Sequence, residues 1–202
     1  LDDSLPLKPT TYYGTRSGIG QVFKVLEDKG EMDITAVGLG VGTLSVYARR
    51  GDTLRFYEIN PDVIELSQTY FRYLETSSTK VEIIAADGRM GLRSQPIKST
   101  DLLILDAFSS DAIPVHLLTI EAFDVYLSRL KEDGVICVHI SNQHLNLVPV
   151  LDGVSRHHNL SLHVLNSKET SDTFDAQWAV LSADSEFITK LEEQTNAFRP
   201  DN

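Results

Sequence analysis

Short apolar runs alternate with helix-forming segments along this chain, and most of the runs stop on a glycine or an acid. DITAVGLG (33–40) ends in glycines, TLRFYEI (53–59) carries Glu58 near its end, KVEIIAAD (80–87) stops on Asp87 and TDLLILD (100–106) on Asp106. GVICVHIS (134–141) is a fifth run, and SLHVLN (161–166) and QWAVLSAD (177–184) complete seven. Branched and aromatic residues mark these runs as strands. Between them, TLSVYARR (43–50) can carry a helix, and Asn60 with Pro61 supplies an N-cap and a first-turn proline for another. Thr119 opens a third, with Ile120, Phe123, Leu127 and Leu130 as its apolar stripe, Lys131 in its last turn and Gly134 just past its end. VPVLDGVSRHHN (148–159) is a weaker helix. Strands alternating with helices predict a seven-stranded, mostly parallel sheet with helices on both faces. Only a polar loop separates the last two strands, so the final strand is expected to run antiparallel.

At 202 residues the whole chain, 1–202, is expected to form one domain. Eighteen basic residues against 29 acidic ones give a net charge of −11, which argues against a nucleic-acid backbone as partner and suits a small cationic one. Cys137 is the single cysteine, so no intrachain disulfide can form, and the run around it reads as core. No apolar run approaches the roughly 18–20 residues of a membrane span, and a cytoplasmic location is expected. Residues 1–12 read as the remnant of an upstream segment, and 195–202 as a flexible tail.

In an open α/β sheet, ligands bind beyond the carboxyl ends of the strands. Gly38, Gly40 and Gly42 follow the first strand, where they permit a tight turn and close approach of a ligand to the backbone. Glu58 lies 20 residues after Gly38, where an acid can accept both hydroxyls of a ribose. Strand, glycine loop, helix, strand and acid together predict a nucleoside-type cofactor. A dinucleotide fingerprint wants a third glycine where Thr43 stands, so the antiparallel last strand and AADGR favour an S-adenosylmethionine-type site, with Asp87 near the adenine amine. Asp87 also suits a turn or an N-cap. Asp106 and Asp111, five residues apart in LLILDAFSSDAIP (102–114), either are solvated loop acids or flank something cationic. The six histidines show no metal-binding spacing, and no metal is expected. His139 reads as a hydrogen-bonded core or rim residue, and Trp178 as core.

TYYGTRSGIGQVF, VGLGVGTLSVYA, FYEINPDVIELSQTYF, AADGR, DLLILDAFSSDAIPVHLLTIEAF and GVICVHISN resemble the spermidine synthase-like family, in particular the branch fused behind membrane transporter-like helices. The similarity runs in order over residues 9–142. LDAFSSDAIP parallels the D-S-S-D-P segment of aminopropyltransferases. The resemblance implies a Rossmann-like fold of the S-adenosylmethionine-dependent methyltransferase type. It implies transfer of an aminopropyl group from decarboxylated S-adenosylmethionine to an amine such as putrescine, in polyamine biosynthesis, and a homodimer. By motif match, Glu58 would hold the ribose, Asp87 with Gly88 the adenine, and Asp106 would be the catalytic acid at the amine. Asp111 would face the far end of a diamine, with Tyr12 and Tyr13 as walls of the substrate pocket. Four features depart from the pattern. Val41 stands where aminopropyltransferases carry an acid in the glycine loop, Asn60 replaces a more usual aspartate, SDTFDAQW occupies the place of a P-T-Y-P segment, and an N-terminal hairpin domain is not evident. Two alternatives stay open: an S-adenosylmethionine-dependent methyltransferase, and a non-catalytic nucleoside-binding domain of a larger membrane protein.

Overall fold

The computed structural model describes residues 7–107, 113–142, 145–171 and 173–200. Strands β1 (Asp33–Val37), β2 (Thr53–Glu58), β3 (Lys80–Ala85), β4 (Thr100–Leu105), β5 (Leu130–His139), β6 (Ser161–Ser167) and β7 (Ala176–Ser182) form one sheet in the order β3-β2-β1-β4-β5-β7-β6. β1 to β5 are mutually parallel, and β7 runs antiparallel between β5 and β6. β4, at the centre, is buried at all six positions, which accounts for its unbroken apolar run. The order of connections reverses between β1 and β4, so the chain leaves a crevice beyond their carboxyl ends.

The helices are α1 (Gly18–Val25), α2 (Pro61–Tyr70), α3 (Gly88–Arg93), α4 (Ile120–Arg129), α5 (Val148–His158) and α6 (Ser185–Gln194). Two apolar cores form on opposite faces of the sheet. Ile19, Phe23, Ile34, Leu54, Trp178 and Leu191 belong to one, and Leu103, Phe123, Tyr126, Ile136, Leu151 and Leu181 to the other. The side-chain oxygens of Asn60, Thr119 and Asp184 each accept a backbone N–H of the turn they open, which fixes where α2, α4 and α6 begin.

The structure corrects two expectations. TLSVYARR forms only one 3₁₀ turn, Thr43–Val46, because the chain is bent away beyond it. Asp52 accepts the backbone N–H of Arg49, while the Arg49 guanidinium donates to the carbonyls of Glu27, Lys29 and Gly30. The third predicted helix ends at Arg129, and Lys131 lies in β5, where its ammonium pairs with buried Asp101 at 2.6 Å. The apolar face of α4 turns with it: Ala122, Phe123 and Tyr126 are buried, while Ile120 is exposed. Beyond α6, Phe198 exchanges two backbone hydrogen bonds with Val164 on the edge strand β6. No helix among the described residues is long and apolar enough to cross a membrane.

Candidate active site

A cleft of about 1530 Å³ opens at the carboxyl ends of β1, β2, β4 and β5. Gly38, Gly40, Glu58, Asp87, Gly88, Asp106, Tyr12 and Tyr13 line it, as do His139 and Ser141. The first eight of these are the residues expected there from the sequence. Asp111 lies outside the described residues.

One arm of the cleft is built from backbone. Gly38 (φ +98°) stands so close to the end of β4 that a Cβ would lie 2.3 Å from the Asp106 carbonyl oxygen. Glycine is therefore required there by contact as well as by φ. Gly40 (φ +52°) differs: the nearest atom to a Cβ would be the Tyr13 hydroxyl oxygen, 4.0 Å away, so its outer side faces the cleft. Gly42, by contrast, packs against Leu74. The Glu58 carboxylate accepts the N–H of Leu39 at 3.1 Å and that of Asn60 at 2.9 Å, so it braces the glycine loop and the start of α2 together. Each oxygen keeps acceptor capacity beyond those bonds. Asp87 caps α3, its Oδ1 accepting the Met90 N–H at 2.9 Å, and its Oδ2 lies 3.2 Å from His116 Nε2. The capping expectation holds, and the same residue also lines the cleft.

The other arm is built from side chains far apart in sequence. Asp106 continues β4 by one residue and donates its N–H to the Val37 carbonyl at 2.9 Å. Its Oδ2 accepts the Tyr13 hydroxyl at 2.6 Å, and its Oδ1 lies 2.7 Å from His139 Nδ1. The Asp106 and His139 side chains are each only 5% exposed. Burial, reinforced by the Asp106 charge and hydrogen bond, holds the Tyr13 phenol well above the usual tyrosine range, so it stays protonated and donates. His139 Nε2 lies 2.9 Å from Ser141 Oγ, which also accepts the Gln177 N–H at 2.8 Å. Trp178, fully buried, stacks on the imidazole at 4.4 Å and 6°. Tyr12 covers the ring at 5.6 Å and meets Phe174 edge-on. The segment carrying both tyrosines is pinned by a bridge from Thr11 to Thr173 and by the Phe174 N–H donating to the Thr11 carbonyl.

His139 and Ser141 are functional candidates that the sequence reasoning left out of the site. A signal was available. GVICVHIS pairs with TDLLILD so that Val138 faces Leu105, which puts His139 beside Asp106 at the same strand end. Cys137 is buried, as expected, and burial pushes its thiol far above the ordinary value.

A parallel sheet reversed only at β7, with a glycine loop after β1 and acids at the ends of β2 and β4 around one cleft, defines a Rossmann-like protein of the methyltransferase fold. Residues 45–162 match the model of the spermine/spermidine synthase domain, and the chain belongs to that family. It is 30% identical over 104 residues to an N-terminal histidine N-methyltransferase of Emericella nidulans, covering 51% of this chain and 19% of that protein. It is 28% identical over 110 residues to a polyamine aminopropyltransferase of Vibrio vulnificus, covering 51% of this chain and 36% of that one. These matches take in well under half the length of either relative. Among solved structures, human methyltransferase-like protein 13 in complex with SAH superposes with a TM-score of 0.64 at 20% identity, over 91% of this chain and 92% of that one. That likeness shows the fold.

Proposed function

We propose that this domain is an aminopropyltransferase, moving an aminopropyl group from decarboxylated S-adenosylmethionine to a small amine such as putrescine in polyamine biosynthesis. The observation that carries the reading is Asp106: a buried carboxylate, held by Tyr13 and His139, across one cleft from the glycine loop and Glu58. An alkyl amine has a pKa near 10, by analogy with lysine, so it is protonated at neutral pH and has no lone pair with which to attack carbon. A buried carboxylate attracts the ammonium, orients it toward the sulfonium-bound methylene and favours its deprotonation. On the donor side, the Glu58 carboxylate accepts the ribose hydroxyls, and Asp87 with Gly88 borders the adenine. Asp111 meets the far ammonium of a diamine, and Tyr12 walls the pocket. The reading puts the domain in the cytoplasm, attached to membrane helices in a longer protein and paired as a homodimer.

Val41 favours a second reading. With an apolar residue in the glycine loop there is no carboxylate to repel the carboxylate of intact S-adenosylmethionine, and methyl transfer to an amine then fits the same cleft. Incubation with each donor plus putrescine, followed by mass spectrometry, decides. Methylthioadenosine is the expected product, and S-adenosylhomocysteine would move the assignment to methyl transfer. Neither product, with a donor-induced rise in melting temperature, would leave a binding domain.

A further inference from the structure

Transfer to an ammonium releases one proton, and Asp106 is poorly arranged to keep it. Both its oxygens already accept short hydrogen bonds, from Tyr13 at 2.6 Å and from His139 at 2.7 Å. A proton placed on either oxygen would face one of those donors. An imidazole is intrinsically the stronger base, by roughly two pKa units. The carboxylate also fixes the tautomer of His139: facing an anion at 2.7 Å, Nδ1 carries the hydrogen, which leaves Nε2 as the acceptor. Nε2 faces Ser141 Oγ at 2.9 Å.

We propose that the proton comes to rest on His139, and that it arrives through the hydroxyl of Ser141. This rests on the transfer reaction proposed above, for either donor. Both residues line the cleft, but Ser141 is half-buried whereas the His139 side chain is 5% exposed, so Ser141 is the more accessible of the pair. The Gln177 N–H, donating into Oγ at 2.8 Å, anchors the oxygen while leaving its hydrogen to turn. In the step, the acceptor ammonium gives a proton to Oγ as the hydroxyl proton passes to Nε2. The acceptor becomes a neutral amine, Ser141 is again a hydroxyl, and His139 becomes an imidazolium paired with the Asp106 carboxylate. The amine lone pair then forms the N–C bond as the C–S bond of the sulfonium breaks, sulfur keeping the bonding pair as a neutral thioether. The new secondary ammonium retains its protons, so one proton in all has moved to His139.

Both states of the ring are satisfied. As a neutral group it accepts from Ser141, and as a cation it donates to Ser141, whose oxygen has a second lone pair for it. The cation gains the Asp106 charge on one edge and the Trp178 face, stacked at 4.4 Å and 6°, beneath it. Asp106, Tyr12 and Tyr13 are the titratable groups described around the ring, and Tyr13 stays neutral. Glu58, Asp87, His116, Lys168 and Asp175 line the same cleft.

Two measurements test this. Ring-nitrogen NMR of the protein, assigned with His139→Gln, should show the neutral His139 protonated on Nδ1. A neutral ring protonated on Nε2 overturns the route. In steady-state kinetics with putrescine, Ser141→Ala should lower kcat by about 100-fold, at the lower end of general-base effects. Donor KM and melting temperature should stay close to wild type, and Ser141→Thr, which keeps the hydroxyl, should recover most of the loss. Turnover of Ser141→Ala within threefold of wild type, or no recovery in Ser141→Thr, refutes it. A wild-type protein that yields neither methylthioadenosine nor S-adenosylhomocysteine sinks the transfer reading itself, and the route with it.

Discussion

The two arms of the cleft are built on different principles. On the donor arm the contacts are backbone to side chain and nearer in sequence: Leu39 with Glu58, 19 residues apart, Asn60 with Glu58, 2 apart, and Met90 with Asp87, 3 apart. On the acceptor arm they are side chain to side chain and distant: Tyr13 with Asp106, 93 residues apart, and His139 with Asp106, 33 apart. The donor arm is thus fixed once β1, β2 and β3 pair. The acceptor arm needs the N-terminal segment, β4, β5 and β7 all in place. Binding should therefore be separable from turnover.

Asp106→Asn gives the largest effect. The amide puts an N–H group toward Tyr13 or His139, each a donor, and removes the charge that attracts the amine. Product formation should fall by about 10³-fold, while donor affinity by calorimetry stays within about threefold. A parallel collapse of donor binding would show that the arms are one unit. The glycines come next. Gly38→Ala puts a Cβ 2.3 Å from the Asp106 carbonyl oxygen, so it should cost about 3 kcal/mol of stability, read in urea unfolding. Gly40→Ala meets open space and should cost only about 1 kcal/mol while weakening donor binding. Equal losses in the two variants would contradict the division between a packed and an open glycine.

Glu58→Gln should weaken donor binding by about tenfold, the worth of charged hydrogen bonds, and leave kcat at saturating donor unchanged. A drop in kcat alone would move Glu58 to the other arm. The smallest effect concerns Tyr13. Its folded pKa is raised, so its contribution to stability is complete below the ordinary tyrosine value of about 10 and is lost as pH climbs beyond it. Burial raises Tyr47 and Tyr126 in the same direction. Tyr13→Phe should therefore make the alkaline fall in unfolding free energy shallower by one proton rather than abolish it. An unchanged slope would mean that Tyr13 does not hold its proton on Asp106.

Sequence legibility follows the same division. The strands, the glycine loop, Glu58 and Asp87 could be read because each is specified by neighbours along the chain. The antiparallel last strand was readable from a short polar connection. The 43–50 segment misled because its helical pattern is overridden by Asp52 and three carbonyls that capture Arg49. α1 and α6 went unread although each is amphipathic, burying Ile19, Val22 and Phe23 on one and Phe187, Ile188 and Leu191 on the other, and α3 is only six residues long. Asp106 was visible as a strand-end acid, but its partners were harder to see: a histidine in an apolar run looks like core unless the two strands are also aligned at their ends, which puts it beside a carboxylate. Tyr13 was legible only as a wall, since nothing local announces a hydroxyl 2.6 Å from an acid 93 residues away.

The reversed direction of β7 has a consequence for how this cleft can diversify. Because β7 enters the sheet at the cleft, β6 and β7 are joined across its mouth and not behind it. That connection is held by the N-terminal segment, through Thr11, Thr173 and Phe174, as well as by Ser167 of β6. The outer wall can therefore be recut without shifting a strand register, provided that Thr173 and Phe174 keep their hold on the segment whose Tyr13 bonds the buried acid. Selectivity for the incoming molecule and the machinery that acts on it are, in this architecture, joined through one short segment, so a change in the wall is felt at the acid only by way of Thr11 to Tyr13.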